Sequence, residues 1–176
     1  MSPLDRDRLA RRTYDAAHLT GSFLLRSGVT SGEYFDKYLL AADPLLLADI
    51  AEGLEPLVAP GSQALAGLEL GGVPLATALS QRTGLPARFV RKQAKEYGTC
   101  RLAEGGDVEG MRLTVVEDVV TSGGQVIESV RALRALGADV VRVVCVIDRE
   151  AGGFDNLAAA GIDAAALFRI SELRPS

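Results

Sequence analysis

The fold is decided by the stretch Val115-Val116-Glu117-Asp118-Val119-Val120-Thr121-Ser122-Gly123-Gly124-Gln125. A valine-rich run ends in two adjacent carboxylates, and a small glycine-containing turn precedes a predicted helix. The unpaired backbone N–H groups and the positive dipole end of such a helix start bind phosphate. Gly123 and Gly124 keep side chains away from that phosphate. The stretch therefore predicts a strand, a phosphate-sized loop and a helix N-terminus, as in an α/β fold.

The two acids are the unusual part of this stretch. Glu117 and Asp118 are predicted at the carboxyl end of the strand, where open α/β sheets bind ligands. Carboxylates repel phosphate, whereas ribose hydroxyls donate hydrogen bonds to carboxylates. The absence of a Gly-Lys-Ser/Thr sequence distinguishes the stretch from a P-loop. The alternative is an ordinary βα turn with two solvated acids.

Composition and charge narrow the function classes. The chain has 176 residues, 48% hydrophobic and 24% charged, which suits one domain with a sizeable core. Its net charge of -4 argues against general nucleic-acid binding. Cys100 and Cys145 form neither a disulfide framework nor a zinc pattern, and Cys145 is predicted as inert core. With no signal peptide or membrane-length apolar run in sight, we predict a cytoplasmic protein that binds no membrane and no nucleic acid.

Repeated β-loop-α units predict a parallel, twisted sheet with helices on both faces. Strands are predicted near residues 64–66, 87–91, 113–116, 140–147 and 164–168, and a strand-turn-strand unit near 23–38. Helices are predicted over residues 5–18, 44–54, 74–82, 123–136 and 154–160. Asp43 is the predicted cap of the second helix, and Pro74 is predicted to start the third.

One long polar segment, residues 93–110, interrupts this regular alternation. Structureless stretches of such length in compact domains are usually functional lids or disordered. Arg91, Lys92 and Lys95 cluster where a strand is predicted to end. We predict a mobile cationic flap that closes over a polyphosphate, the alternative being a solvated hairpin with incidental charge.

Five segments together resemble the type I phosphoribosyltransferases, and specifically the orotate phosphoribosyltransferase family. The stretch that ends at Gln125 is similar to their signature for 5-phosphoribosyl-1-pyrophosphate (PRPP). The other four are residues 25–36, similar to the base-binding segment, 67–74, similar to the pyrophosphate loop, 89–98, similar to the catalytic flap, and 146–153, near the orotate-facing arginine. The signature alone indicates the superfamily, whereas the flap and the Asp148-Arg149-x-x-Gly-Gly segment indicate orotate.

The resemblance implies a reaction and an assembly. PRPP and orotate would give orotidine 5′-monophosphate and pyrophosphate, in pyrimidine biosynthesis, with Mg²⁺ held mainly by PRPP and water and at most indirectly by Asp118. The fold would be a single domain over residues 1–176, with a hood formed by about residues 1–40 and the extreme C-terminus. The family's flap reaches into the neighbouring subunit's site, so a homodimer is implied.

Residue roles also follow from the resemblance. The implied catalytic residues are Arg91, Lys95, Glu117 and Asp118. The implied PRPP-binding residues are these four with Lys92, Glu69, Leu70, Val119, Val120, Thr121, Ser122, Gly123, Gly124 and Gln125. The implied orotate-binding residues are Arg26, Tyr34, Phe35, Thr121 and Arg149.

The chain departs from the family at several positions. Arg26 stands where a lysine is usual, Gly71 where some members carry a lysine, and Tyr97 where the flap often has a histidine. His18, the only histidine, is predicted in the first helix as structural or exposed.

Two rival functions stay open on the sequence alone. One is a phosphoribosyltransferase for another base, a purine or uracil. The other is a non-catalytic regulator that binds nucleotide or RNA on the same fold. Arg26 and Arg149 favour orotate because its carboxylate requires cations, and the acid pair with the flap cations favours catalysis.

Overall fold

A six-stranded sheet forms the centre of the computed structural model, which describes residues 5–24, 28–92 and 102–173. The described residues contain eight strands, and the first two form a separate hairpin. The strands are β1 (His18–Leu24), β2 (Thr30–Phe35), β3 (Ala64–Leu68), β4 (Ala87–Val90), β5 (Ala103–Glu104), β6 (Arg112–Val120), β7 (Asp139–Asp148) and β8 (Ala164–Arg169). The helices are α1 (Arg6–Ala17), α2 (Leu39–Ala42), α3 (Pro44–Leu54), α4 (Glu69–Thr83), α5 (Gly124–Ala135), α6 (Gly153–Ala159) and α7 (Ile170–Leu173), with a 3₁₀ turn at Glu55–Leu57.

The central sheet has the strand order β5-β4-β3-β6-β7-β8. Every neighbouring pair is parallel except β4 and β5, which are antiparallel. One apolar cluster unites α1, α3 and α4 with one face, and a second joins α5 and α6 to the other. The predicted parallel sheet covered by helices on both faces is therefore confirmed.

The two central strands, β6 and β7, are buried along most of their length. Their apolar runs match strands that helices cover on both faces. Cys145 of β7 is fully buried, and burial raises the pKa of its thiol. The prediction that Cys145 is inert core is confirmed, while Cys100 lies outside the described residues.

An antiparallel hairpin precedes the sheet. β1 pairs with β2, with His18 opposite Phe35 and Leu19 opposite Tyr34. The strand-turn-strand prediction is confirmed, but His18 is the first residue of β1 and not part of α1, which is a correction. Residues 25–27, which include Arg26, lie outside the described residues.

Helix α4 begins five residues earlier than predicted. It starts at Glu69, so Pro74 lies inside the helix and does not open it. Because proline has no N–H, the helix loses the hydrogen bond that residue 74 would have donated to the carbonyl of Leu70. Gly72 lets the helix approach β6, because a Cβ there would lie 2.3 Å from the carbonyl oxygen of Val116.

The polar segment after β4 contains more structure than predicted. Ala103–Glu104 forms β5 against β4, and the amide of Arg91 donates to the carbonyl of Leu102 at 2.9 Å. Residues 93–101, with Lys95 and Tyr97, lie outside the described residues. Among the residues that are described, no helix is long and apolar enough to cross a membrane.

Candidate active site

One edge of the sheet collects most of the predicted site residues. Strands β3, β4, β6 and β7 are mutually parallel, so their carboxyl ends face one crevice. The residues that follow them are Glu69 and Leu70 after β3, Arg91 and Lys92 after β4, Thr121–Gln125 after β6, and Arg149 after β7. The parallel topology thus unites segments that are far apart in the chain.

The start of α5 fits an anion. Asp5 and Asp43 cap α1 and α3, whereas α5 has no side-chain cap and begins after Gly123, whose φ is +76°. A Cβ on Gly123 would lie 2.9 Å from the carbonyl oxygen of Gly153. A Cβ on Gly153 would in turn lie 2.4 Å from that of Thr121, so glycine is needed at both positions. The first-turn amides of α5 remain available to a phosphate.

The acid pair is buried at the end of β6. The amide of Asp118 donates to Glu117 Oε1 at 2.8 Å, and the amide of Val119 donates to Asp118 Oδ1 at 2.6 Å. Burial raises the pKa of Glu117 well above its ordinary value, and the hydrogen bond and charge of Asp118 add to the rise. Solvated acids on an ordinary turn would not be buried, so this alternative is excluded.

Lys37 is a site residue that the sequence analysis missed. Its Nζ lies 3.0 Å from Oδ1 and 3.0 Å from Oδ2 of Asp118. Burial alone would lower the pKa of Lys37, but the adjacent Asp118 carboxylate outweighs it and the pKa is raised. The signal available in the sequence was its place two residues after Phe35, directly after the segment (residues 25–36) that resembles a base-binding element.

The loop between β3 and α4 adjoins the start of the predicted flap. Glu69 has a φ of +51°, which is rare for a residue with a side chain and marks backbone strain. Its carboxylate accepts a hydrogen bond from the amide of Lys92. Leu70 is exposed beside it. Glu69 therefore connects the two loops in which pyrophosphate contacts were predicted.

A pocket of about 290 Å³ lies between the hairpin and Arg149, the residue that follows β7. It brings together three predicted base-binding residues, Tyr34, Phe35 and Arg149, with the Arg149 guanidinium 5.9 Å from the Phe35 ring centre. The amide of Arg149 donates to the carbonyl of Val120 at 2.9 Å, which fixes the arginine beside the phosphate loop. The pocket is also lined by Tyr14, His18, Ser31, Glu33 and Ile170.

A larger cavity, about 730 Å³, lies along β8. None of the predicted site residues lines it, and two of its charged side chains, Arg6 and Glu172, pair with each other at 3.0 Å. We therefore place the candidate active site at the smaller pocket and the adjoining crevice.

Comparisons with known proteins agree with this geometry. Residues 46–160 match the family model of the phosphoribosyl transferase domain. Orotate phosphoribosyltransferase from a Nocardioides species is 55% identical over 88% of this chain and 87% of its own length. The enzyme of the same name from Halobacterium salinarum is 44% identical over 98% of both chains. The chain belongs to the orotate phosphoribosyltransferase family.

Solved structures extend the likeness to three dimensions. Mycobacterium tuberculosis orotate phosphoribosyltransferase in complex with PRPP superposes with a TM-score of 0.82 at 30% identity, over 96% of this chain and 98% of that one. Adenine phosphoribosyltransferase from Thermoanaerobacter pseudethanolicus gives a TM-score of 0.70 at 20% identity, covering 92% and 99%, which is a likeness of fold alone. The predicted type I phosphoribosyltransferase fold is confirmed.

Of the site residues predicted for an orotate phosphoribosyltransferase, Arg26 and Lys95 lie outside the described residues. The remainder fall at the crevice or the pocket. His18 and Tyr14, whose rings stack with centres 4.6 Å apart, line the pocket without having been predicted there. The pairing of His18 with Phe35 across the hairpin puts it there, and local sequence gives no sign of that register.

Proposed function

We propose that this protein transfers the 5-phosphoribosyl group of PRPP to orotate, giving orotidine 5′-monophosphate and pyrophosphate. One observation carries the proposal. An uncapped helix start, a buried acid pair and an arginine-bearing pocket adjoin at one sheet edge, in a chain of the orotate phosphoribosyltransferase family. These three features correspond to the phosphate, the ribose and the base of the product.

The phosphate and ribose ends of PRPP have distinct partners. The loop Thr121–Gln125 and the first-turn amides of α5 bind the 5′-phosphate through N–H donors and the helix dipole. Glu117 and Asp118 accept hydrogen bonds from the ribose hydroxyls. This division explains why carboxylates lie beside an anion site.

The pyrophosphate end meets the loops after β3 and β4. Arg91 and Lys92 are exposed at the end of β4, next to Glu69 and Leu70. Lys92 supplies positive charge in its own subunit's site as the pyrophosphate leaves, and Arg91 and Lys95 supply it in the neighbouring subunit's site. Such cations act mainly by stabilising charge that develops in the transition state.

A magnesium ion fits this donor set as a companion of the substrate. The structure, over residues 5–24, 28–92 and 102–173, contains no group of three or more His, Cys, Asp or Glu that could hold a metal alone. Mg²⁺ keeps several waters and is commonly bound through one or two carboxylates and substrate phosphates. We propose that PRPP and water hold it, with Asp118 contributing indirectly, and that it neutralises the leaving pyrophosphate.

Orotate occupies the pocket beside β2. Arg149 and Arg26 pair with its carboxylate and ring oxygens, and Phe35 and Tyr34 lie against the ring. The position of Arg149, held to Val120 and 5.9 Å from the Phe35 ring centre, supports this placement. Thr121 follows Val120 and borders both base and phosphate.

The reaction is a displacement at the anomeric carbon. A ring nitrogen of orotate forms the new bond to that carbon and loses its proton, while the bond from the carbon to the pyrophosphate oxygen breaks and the leaving pyrophosphate takes up the proton. The transition state resembles an oxocarbenium ion, so the protein contributes chiefly position and charge. Glu117 and Asp118 face the side of the ribose that becomes electron-deficient.

The active unit is a homodimer in which Arg91 and Lys95 serve the partner's site. The hood, residues 1–40 with the C-terminal end, covers the base; the lining of the pocket by Tyr14 and Ile170 supports this.

Loss of orotate absorbance that requires PRPP and Mg²⁺ tests the proposal, run beside uracil, hypoxanthine and adenine as rival bases. We expect turnover with orotate and at most traces with the others. A preference for a purine or uracil would show that the protein is a phosphoribosyltransferase for that base and not for orotate. Tight PRPP binding without turnover of any base would indicate a regulator.

A further inference from the structure

Asp118 is enclosed on almost every side. Its Oδ2 lies against Gly71 of α4, where a Cβ would come within 1.9 Å. Its Oδ1 accepts from the amide of Val119. The Asp118 side chain is 2% exposed and that of Lys37 is 40% exposed, so the lysine lies between the carboxylate and solvent.

This arrangement conflicts with direct use of Asp118 by a substrate. Lys37 Nζ lies 3.0 Å from both carboxylate oxygens, the position that a ribose hydroxyl or water would need. A lone buried carboxylate is costly, so the lysine stabilises the free protein. Substrate binding requires another group to take over that role.

From this geometry we infer that Lys37 is a positioning residue that occupies Asp118 in the free protein and leaves it when the ribose of PRPP binds. This inference rests on the proposed PRPP site. It differs from a role for Lys37 as a phosphate-binding cation. In the exchange, the ribose hydroxyls replace the ammonium group as hydrogen-bond donors to Asp118.

Lys37 also connects the PRPP site to the hairpin. It follows β2 by two residues, and β2 carries Tyr34 and Phe35 of the base pocket. The amide of Asp36 also connects this point to the end of α1, by donating to the carbonyl of Ala17 at 2.8 Å. Release of Lys37 from Asp118 would therefore loosen the hairpin end that borders the base.

The exchange makes an unusual affinity prediction. Wild-type protein must break the Lys37–Asp118 pair to bind PRPP, whereas Lys37→Met has no pair to break. We expect Lys37→Met to bind PRPP with Mg²⁺ about twofold to fivefold more tightly by titration calorimetry, the range that a partly exposed ion pair allows. A phosphate-binding lysine would give the opposite, a loss of tenfold or more.

Hydrogen exchange of residues 30–36 provides a test without substrate. Lys37→Met and Asp118→Asn should each speed amide exchange there in the free protein, and Lys37→Arg should restore slow exchange. Saturating PRPP with Mg²⁺ should remove the difference between wild type and Lys37→Met. Arg112→Met is the matched control, because Arg112 pairs with Asp139 at 3.6 Å at the opposite end of β6.

Each outcome separates the two proposals. If wild-type protein fails to bind PRPP, the proposed function is wrong. If wild type binds and Lys37→Met binds more weakly or equally, the exchange is wrong. Unchanged hydrogen exchange in both Lys37→Met and Asp118→Asn would also overturn it, and if Lys37→Met does not fold, the Asp118→Asn result decides.

Discussion

Gly71 lies directly against the Asp118 carboxylate: a Cβ at residue 71 would fall 1.9 Å from Asp118 Oδ2. No atom larger than hydrogen fits between the start of α4 and this acid. The absence of a lysine at this position, seen in the sequence as a departure from the family, thus has a steric reason. A side chain would displace Asp118, and with it the pair that Asp118 forms with Lys37.

Gly71→Ala should therefore weaken PRPP binding. Overpacking a closed site costs roughly 1–3 kcal/mol, which corresponds to about fivefold to 150-fold in affinity if the cost falls on the binding geometry. Titration calorimetry with PRPP and Mg²⁺ measures the change. Gly32→Ala is the control, since the nearest atom to its added Cβ is 3.9 Å away. Wild-type affinity in Gly71→Ala would show that Asp118 does not contact the ribose.

Elements with strong local signals were predictable from the sequence. The apolar run that became β7 is buried on both faces, and Asp43 caps α3 through hydrogen bonds from the amides of Leu45 and Leu46. The acid pair was placed at the end of β6 because the switch from valines to carboxylates and glycines is local. Parallel topology then brought Arg149 to the same edge, as predicted.

Features that depend on distant contacts were not predictable. Lys37 precedes Asp118 by 81 positions, and only the packing of the hairpin end against β6 pairs them. The early start of α4 follows from the close approach of Gly72 to Val116, which overrides the usual preference for proline at a helix start. Strand β5 has two residues and exists because β4 offers it an edge.

Arg149 should control the choice of base. Arg149→Ala removes the cation beside Phe35, so we expect KM for orotate to rise roughly tenfold to a hundredfold, the value of a charge-assisted pair of about 1.5–3 kcal/mol. The Kd for PRPP should stay near the wild-type value. Arg142→Ala is the control, because Arg142 of β7 pairs with Asp163 away from the pocket. Equal losses for orotate and PRPP would assign Arg149 a structural role.

The pH dependence of stability should reveal the buried Glu117. Its folded-state pKa is raised by burial, so between the ordinary value of 4.5 and the raised value the unfolded chain loses a proton that the fold retains. Wild-type stability then falls as pH rises through that window, by at most about 1.4 kcal/mol per pH unit. Glu117→Gln keeps the acceptor for the Asp118 amide and removes this slope. Denaturant unfolding from pH 4 to 8 measures it.

Glu172 serves as a control of opposite sign. A hydrogen bond from the Arg169 amide, helped by Arg6, lowers the pKa of this exposed acid. The contribution of Glu172 to folding stability is fully present above its ordinary pKa and is lost as pH falls through its lowered pKa. The difference in stability between Glu172→Gln and wild type should therefore be smaller at low pH. The difference in stability between Glu117→Gln and wild type should instead grow as pH rises. Parallel curves for Glu117→Gln and wild type would mean that Glu117 is not buried as a free acid.

Sharing of the flap between subunits has a direct test. Lys95→Ala should lower kcat by orders of magnitude with little change in stability, because the lysine acts only as charge develops. Asp118→Asn should also be inactive. Mixed dimers of the two should regain activity, since one hybrid site recovers both wild-type groups. No recovery after verified subunit exchange would show that each site uses its own flap.

The proposed PRPP site depends most on the acid pair, Glu117 and Asp118. Glu117→Gln with Asp118→Asn preserves size and hydrogen-bonding capacity but removes both acids, and the fold should stay intact because the replacements fill the same space. PRPP affinity should fall because charged acceptors bind hydroxyls more strongly than amides do. The rate should fall further, since the cationic ribosyl group then lacks the negative charge of Asp118 beside it. Calorimetry with PRPP and Mg²⁺, beside steady-state kinetics, separates the two losses. If this variant keeps the affinity and rate of the wild type, the acid pair does not bind the ribose and the proposed PRPP site is wrong.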